Sequence, residues 1–139
     1  MQRSSEVEDF VRRMLDRWQS GDAASVEQWL ASDVTVIGTD PDEWWSGREK
    51  VAQSFRQQLE ATGGFPLEAG DPEGYASGDV GWFATRFSFT FPGMPEIPTR
   101  LTGVVVREDG DWRAAQLHVS IGVSNEEVAG EEIAAQVQA

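Results

Sequence analysis

The segment WRAAQLHVSIGV, residues 112–123, constrains the fold more than any other part of the chain. Leu117, Val119, Ile121 and Val123 occupy one parity, and Gln116, His118, Ser120 and Gly122 the other. Successive side chains of a strand point to opposite faces, so this segment belongs in a sheet with one oily and one polar side. Two more segments alternate in the same way. In GDVGWFATRFSFTF, Phe83, Phe87, Phe89 and Phe91 share a parity against Trp82, Ala84, Arg86 and Ser88, and TRLTGVVVR follows further on. The intervening FPGMPEIP reads as a connection, because its prolines lack the donors that a ladder requires.

The turn EDG joins TRLTGVVVR to the 112–123 strand. It reads as a three-residue hairpin loop with Gly110 in the left-handed position. That loop predicts a register in which Arg107 faces Asp111, Thr102 faces Gln116 and Arg100 faces His118. Arg100, Thr102, Gln116, His118 and Ser120 would then share one face, and Leu101, Val105, Leu117, Val119 and Ile121 the other.

The N-terminal half has helical periodicity. Val7, Phe10, Val11, Met14, Leu15 and Trp18 recur at three- and four-residue steps and draw one apolar stripe. Ser5 and Glu8 form a capping-box pattern, and Gly21 ends the helix. Asp22 reads as the N-cap of a short second helix carrying Val26, Trp29 and Leu30. DVTVIGT reads as a strand and DPDEWWSG as a loop. Ser46 and Glu49 suggest a second capping box, which would open a third helix with Val51, Phe55 and Leu59 on one side. A weak last helix spans Asn125 to Gln138, with sparse apolar positions at Val128, Ile133 and Val137. Helices followed by an antiparallel meander predict an α+β fold, with three helices on one face of a curved sheet of about four to six strands. The chain is expected to be a single domain over residues 1–139, with its core at about 5–123 and a partly helical extension at 124–139.

Composition removes several function classes. A chain of 139 residues with 40% hydrophobic residues and six tryptophans suits one packed core. The formal net charge of −13 disfavours nucleic acid and anionic membranes as partners. The chain has no cysteine, which excludes thiolate chemistry, and His118 is the single histidine, so no metal site and no cofactor are expected. With neither an apolar leader nor a membrane-length apolar run, a cytoplasmic location is the expectation.

Several motifs coincide. GDAASVEQWLASDVTVIGTDPDEWWSGREKVAQSF is followed by SGDVGWFATRF and then by RLTGVVVREDGDWRAAQLHVS. Together they resemble the SnoaL-like branch of the nuclear transport factor 2-like superfamily. The resemblance covers roughly Val7 to Val123. It implies a cone in which helices close over a bent, mixed or antiparallel sheet and leave a mostly apolar pocket, with two sheets paired in a homodimer. It also implies that the His-x-Ser parity looks inward, toward the helices, which leaves Leu101, Val105, Leu117, Val119 and Ile121 for the dimer interface.

The superfamily includes ketosteroid isomerases, polyketide cyclases, dehydratases and non-catalytic association domains. The resemblance places the isomerase base near Gly38, where this chain has no carboxylate. Asp40, Asp42 and Glu43 lie close by and read as a solvated loop. His118 is therefore the candidate catalytic acid/base, because imidazole titrates near neutrality. Arg100, Gln116 and Ser120 are candidate ligand contacts beside it, and Arg100 suits an anionic or carbonyl group. Trp44 and Trp45 read as an aromatic lip that touches a flat ligand. The expected function is binding of a small molecule in an enclosed pocket. The alternative is an enzyme of the cyclase or isomerase type that uses His118 for cyclisation, isomerisation or dehydration.

Overall fold

Helix α1 (Ser5–Ser20) follows a two-residue strand β1 (Gln2–Arg3). Its N-cap is Ser4, whose hydroxyl accepts the Val7 N–H at 3.2 Å. Ser5 is already helical, so the predicted Ser5–Glu8 box does not form. Glu8 instead accepts the Gly74 N–H at 3.0 Å and pairs with Arg3, which ties the helix start to the sheet. Gly21 ends α1 in the left-handed region at φ 75°, where a residue without Cβ is unstrained.

The computed structural model describes residues 1–138, without the side chains of residues 133, 134, 137 and 138. A 3-10 segment, Ala23–Trp29, stands where a second helix was expected, and Asp22 precedes it without a side-chain cap. Next come β2 (Leu30–Ile37), β3 (Trp44–Ser46) and α2 (Arg48–Thr62). The N-cap of α2 is Gly47, with no side-chain cap. Ser46 belongs to β3 and faces the Thr35 hydroxyl, so no capping box forms there either. The remaining strands are β4 (Leu67–Ala69), β5 (Glu73–Ser77), β6 (Val80–Phe89), β7 (Ile97–Glu108) and β8 (Asp111–Ile121). The C-terminal segment forms two short helices, α3 (Asn125–Ala129) and α4 (Glu131–Gln138), separated at Gly130. Val128 is exposed there, while the side chains of Ile133 and Val137 lie outside the described residues. No helix among the described residues is long and apolar enough to cross a membrane.

The eight strands make one curved, mixed sheet in the order β1-β5-β6-β7-β8-β2-β3, with β4 beside β6. The expectation of four to six strands missed the short edge pieces β1, β3 and β4. Strands β2 and β8 run parallel, and every other pair is antiparallel. Helix α1 packs on β5 and β6, and α2 packs on β2 and the 3-10 segment.

The core lies between these helices and one sheet face. Leu101, Val105 and Leu117 are 0% exposed and meet Val7, Val11, Met14 and Phe83 in one cluster. The oily parity of β7 and β8 therefore faces the helices of its own chain. Gly103 stands in the same row, and a Cβ there would lie 2.5 Å from the Phe83 ring. The missing side chain lets that ring lie across β7.

The β7–β8 register corrects the one predicted. The turn contains two residues, Asp109 and Gly110, at φ 55° and 84°, and Glu108 pairs with Asp111. Two positive φ values in a two-residue loop match the twist of a hairpin. This turn opposes Val105 to Ala114, yet further along Gly103 opposes Leu117 and Leu101 opposes Val119. The shift lies between these pairs, where Ala115 is an extra residue on β8. The tight turn requires one register and the apolar parities of the two strands require the other, and a one-residue bulge satisfies both.

Two predictions follow from this packing. Leu117→Ala should cost roughly 2–5 kcal/mol in urea unfolding, the usual range for a buried leucine. Deleting Ala115 should cost more, because every pairing beyond it would expose its apolar side. Glu8 and Glu6 couple stability to pH on the acid side. Hydrogen bonds from Arg3 and then Gly74 lower the Glu8 pKa, and bonds from Arg107 and then Trp112 lower that of Glu6. A folded pKa below the unfolded value contributes stability above the ordinary carboxylate range, and that contribution is lost as pH falls through it. The urea midpoint should drop as pH falls below about 4.5, and Glu6→Gln/Glu8→Gln should flatten that dependence.

Candidate functional site

Seven aromatic rings gather where the open end of the sheet meets the helices. Trp18 comes from the last turns of α1, Phe55 from α2, Phe87 and Phe89 from β6, Trp45 from β3, and Phe65 and Phe91 from loops. Val36 of β2 and Val119 of β8 complete the sheet wall of a cavity of about 170 Å³. Trp18 stacks on Phe55 at 5.5 Å, and Phe89 meets Phe87 edge-on at 5.0 Å. The Trp18 and Trp29 indole N–H groups are buried without an acceptor among the described residues, and both rings pack around Phe55. Gln58, Thr39 and Glu43 supply the polar side chains of the lining.

The Glu43 carboxylate is built by the β2–β3 hairpin. The Gly38 N–H donates to the Glu43 carbonyl at 2.8 Å, and the Glu43 N–H donates to the Asp40 carbonyl at 3.0 Å. The Asp40 N–H then donates to Glu43 Oε1 at 2.8 Å, with the Thr39 hydroxyl at 3.5 Å from the same oxygen. A Cβ on Gly38 would lie 2.7 Å from Glu43 Cβ and 3.0 Å from Oε2. Glycine at 38 thus makes room for the side chain of Glu43, which is half-buried. Oε2 has no protein donor among the described residues, and no cationic side chain lines the cavity.

A larger crevice, about 420 Å³, separates α1 from the tip of the β7–β8 hairpin. One ion pair crosses it, and Asp9, Arg13, Arg17 and Asp111 also line it. Arg107 donates to Glu6 at 2.9 Å and lies over the Trp112 ring, whose N–H also donates to Glu6. The aromatic cavity, with unpaired polar atoms on an apolar wall, is the better candidate site.

The residues proposed from sequence separate in space. His118 is exposed on the sheet face that points away from the helices, in a cross-strand row with Ala84, Thr102, Ile37 and Trp44. It does not line the cavity; its neighbour Val119 does. The expected inward direction of His118 is therefore corrected, because the oilier parity of β8 takes the core. Arg100 opposes Ser120, not His118, and donates to its hydroxyl at 3.2 Å. Gln116 shares the outward face and is exposed. The predicted lip divides by strand alternation: Trp45 pairs with Val36 and faces the cavity, while Trp44 pairs with Ile37 and is 66% exposed on the outer side. Sequence reasoning placed Glu43 in a solvated loop and passed over Phe55, Gln58 and Phe65. The parity shared by Phe87, Phe89 and Phe91 was the available signal.

Comparison with known proteins agrees with this fold. An NTF2-like protein of unknown function from Pseudomonas putida KT2440 is 17% identical over 91% of this chain and 94% of its own, with a TM-score of 0.73. A proposed dehydratase of the NTF2-like family from Streptomyces avermitilis is 15% identical over 85% of this chain and 94% of its own, with a TM-score of 0.73. A proposed ketosteroid isomerase from Parabacteroides distasonis is 16% identical over 84% of this chain and 85% of its own, with a TM-score of 0.64. At such identities the likeness shows the fold alone. No curated protein matches the chain. The sequence of residues 7–124 matches the SnoaL-like domain, and the chain belongs to that family.

Proposed function

We propose that this protein binds a small, largely apolar molecule in the aromatic cavity. The observation that carries this reading is a half-open cavity of about 170 Å³ lined by seven rings and a few polar side chains. Ligand sites are commonly apolar hollows with sparse, well-placed polar groups. Roughly 150 Å³ is enough for a benzene ring, so the ligand is of one-ring size. The enzyme alternative through His118 loses its support, since the imidazole and the cavity lie on opposite faces of β8. The ionisable group within reach of a bound molecule is Glu43, so acid–base turnover in this cavity would run through its carboxylate.

Titration with benzyl alcohol, followed by amide and methyl shifts in NMR, tests the binding reading. Shifts should concentrate at Val36, Phe55, Phe87 and Val119. Val119→Trp should fill the space and abolish them at a stability cost of about 1–3 kcal/mol. His118→Ala should leave them unchanged. Shifts spread over the outer face, or surviving in Val119→Trp, would refute the site.

The homodimer expected from the family resemblance is proposed at a different surface. Leu101, Val105 and Leu117 are buried in their own chain, so the face away from the helices is the candidate, with Trp44, Val80 and Trp82 exposed on it. Sedimentation should give twice the chain mass, and Trp82→Arg should halve it. A wild-type monomer would refute this interface.

A further inference from the structure

We infer that the cavity takes a small organic cation, an ammonium carried on a short arm of a single ring, with the ammonium at Glu43 and the ring among the aromatic side chains. The inference rests on the binding reading above and adds the charge of the ligand.

Four observations point to a cation. Among the described residues, Glu43 is the one ionisable residue in the lining, and no arginine or lysine accompanies it. Its Oε1 is occupied by the Asp40 N–H and approached by the Thr39 hydroxyl, while Oε2 has no protein donor among the described residues. The loop therefore holds the carboxylate in place and leaves one oxygen for a donor outside the chain. Second, the carboxylate occupies the space that a side chain at Gly38 would need. Third, the remaining wall is mostly aromatic, and ring faces carry negative charge density that attracts cations. Fourth, a formal net charge of −13 raises the local concentration of cations and lowers that of anions around the whole molecule. Arg100, which would have suited an anionic ligand, is exposed on the sheet face away from the helices.

The Glu43 oxygen without a protein donor is not buried, so a ligand in the cavity can reach it, and an ammonium group would supply both charge and hydrogen bonds. An alcohol of the same shape would supply one neutral donor. A carboxylate ligand would place like charges together.

Three probes of nearly one size separate these cases at pH 7: benzylammonium, benzyl alcohol and benzoate, titrated into the full chain by calorimetry and NMR. The wild type should bind benzylammonium about tenfold more tightly than benzyl alcohol, a margin ordinary for one charge contact. Benzoate should not bind. Glu43→Gln should abolish the tenfold preference for benzylammonium over the alcohol. Equal binding of alcohol and ammonium by the wild type, or stronger binding of benzoate, would overturn the inference while leaving the binding site intact. Absence of shifts at cavity residues with all three probes would overturn the binding reading, and the inference with it. A preference for the ammonium that survives in Glu43→Gln would remove Glu43 from the site. The wild-type comparison decides the ligand charge independently of how well the variant folds.

Discussion

Burial of the inner row of β7 and β8 against α1 is the contact on which the rest of the structure depends. Leu101, Val105 and Leu117 lose all exposure there, with Phe83 laid across Gly103 beside them. Each such side chain contributes about 1.5–3 kcal/mol by leaving water. Only one orientation of the two strands brings this row under the helix. The Asp109–Gly110 turn alone would impose the other orientation beyond Ala114. The Ala115 bulge is where the two demands meet, and it determines which side chains of β8 enter the cavity.

The cavity follows from the same alternation at the open end of the sheet. Val119 continues the inner row beyond Leu117, Val36 lies beside it on β2, and Phe87 and Phe89 approach from β6. The rings are held by one another, since Trp18, Trp29 and Phe55 form a mutual cluster on the helix side. The polar end has a separate origin. It depends on the short β2–β3 hairpin, whose backbone bonds return Glu43 to the position above Gly38. An apolar wall with one anchored carboxylate gives the site its polarity, and the sheet fixes where that polarity points.

Much of the fold was legible because its signals are local. The α1 stripe, the three long strands and the proline-rich connection each show periodicity or turn chemistry within a dozen residues. The family resemblance spanned nearly the same segment as the match at residues 7–124. The site was less legible. Whether the polar or the apolar parity of β8 faces the helices depends on what the helices offer, and the stripe of α1 offers only apolar partners. The resemblance pointed His118 inward, and the hydrophobic parity prevailed. The Glu43 carboxylate was hidden for a related reason. An acidic residue in TDPDEWW carries no local mark of burial, and its position depends on a glycine five residues earlier.

The sequence by itself determined the α+β order, the sidedness of each strand and the apolar stripe, since these depend on side-chain period and backbone chemistry. The tertiary structure decided which side became the interior. It also decided the register across the β7–β8 turn, the separation of Trp44 from Trp45, and the meeting of Glu43 with the aromatic wall. Those outcomes depend on contacts between segments far apart in the chain, where a single inserted residue can reverse a face and so reconcile burial of the apolar surface with local turn preference.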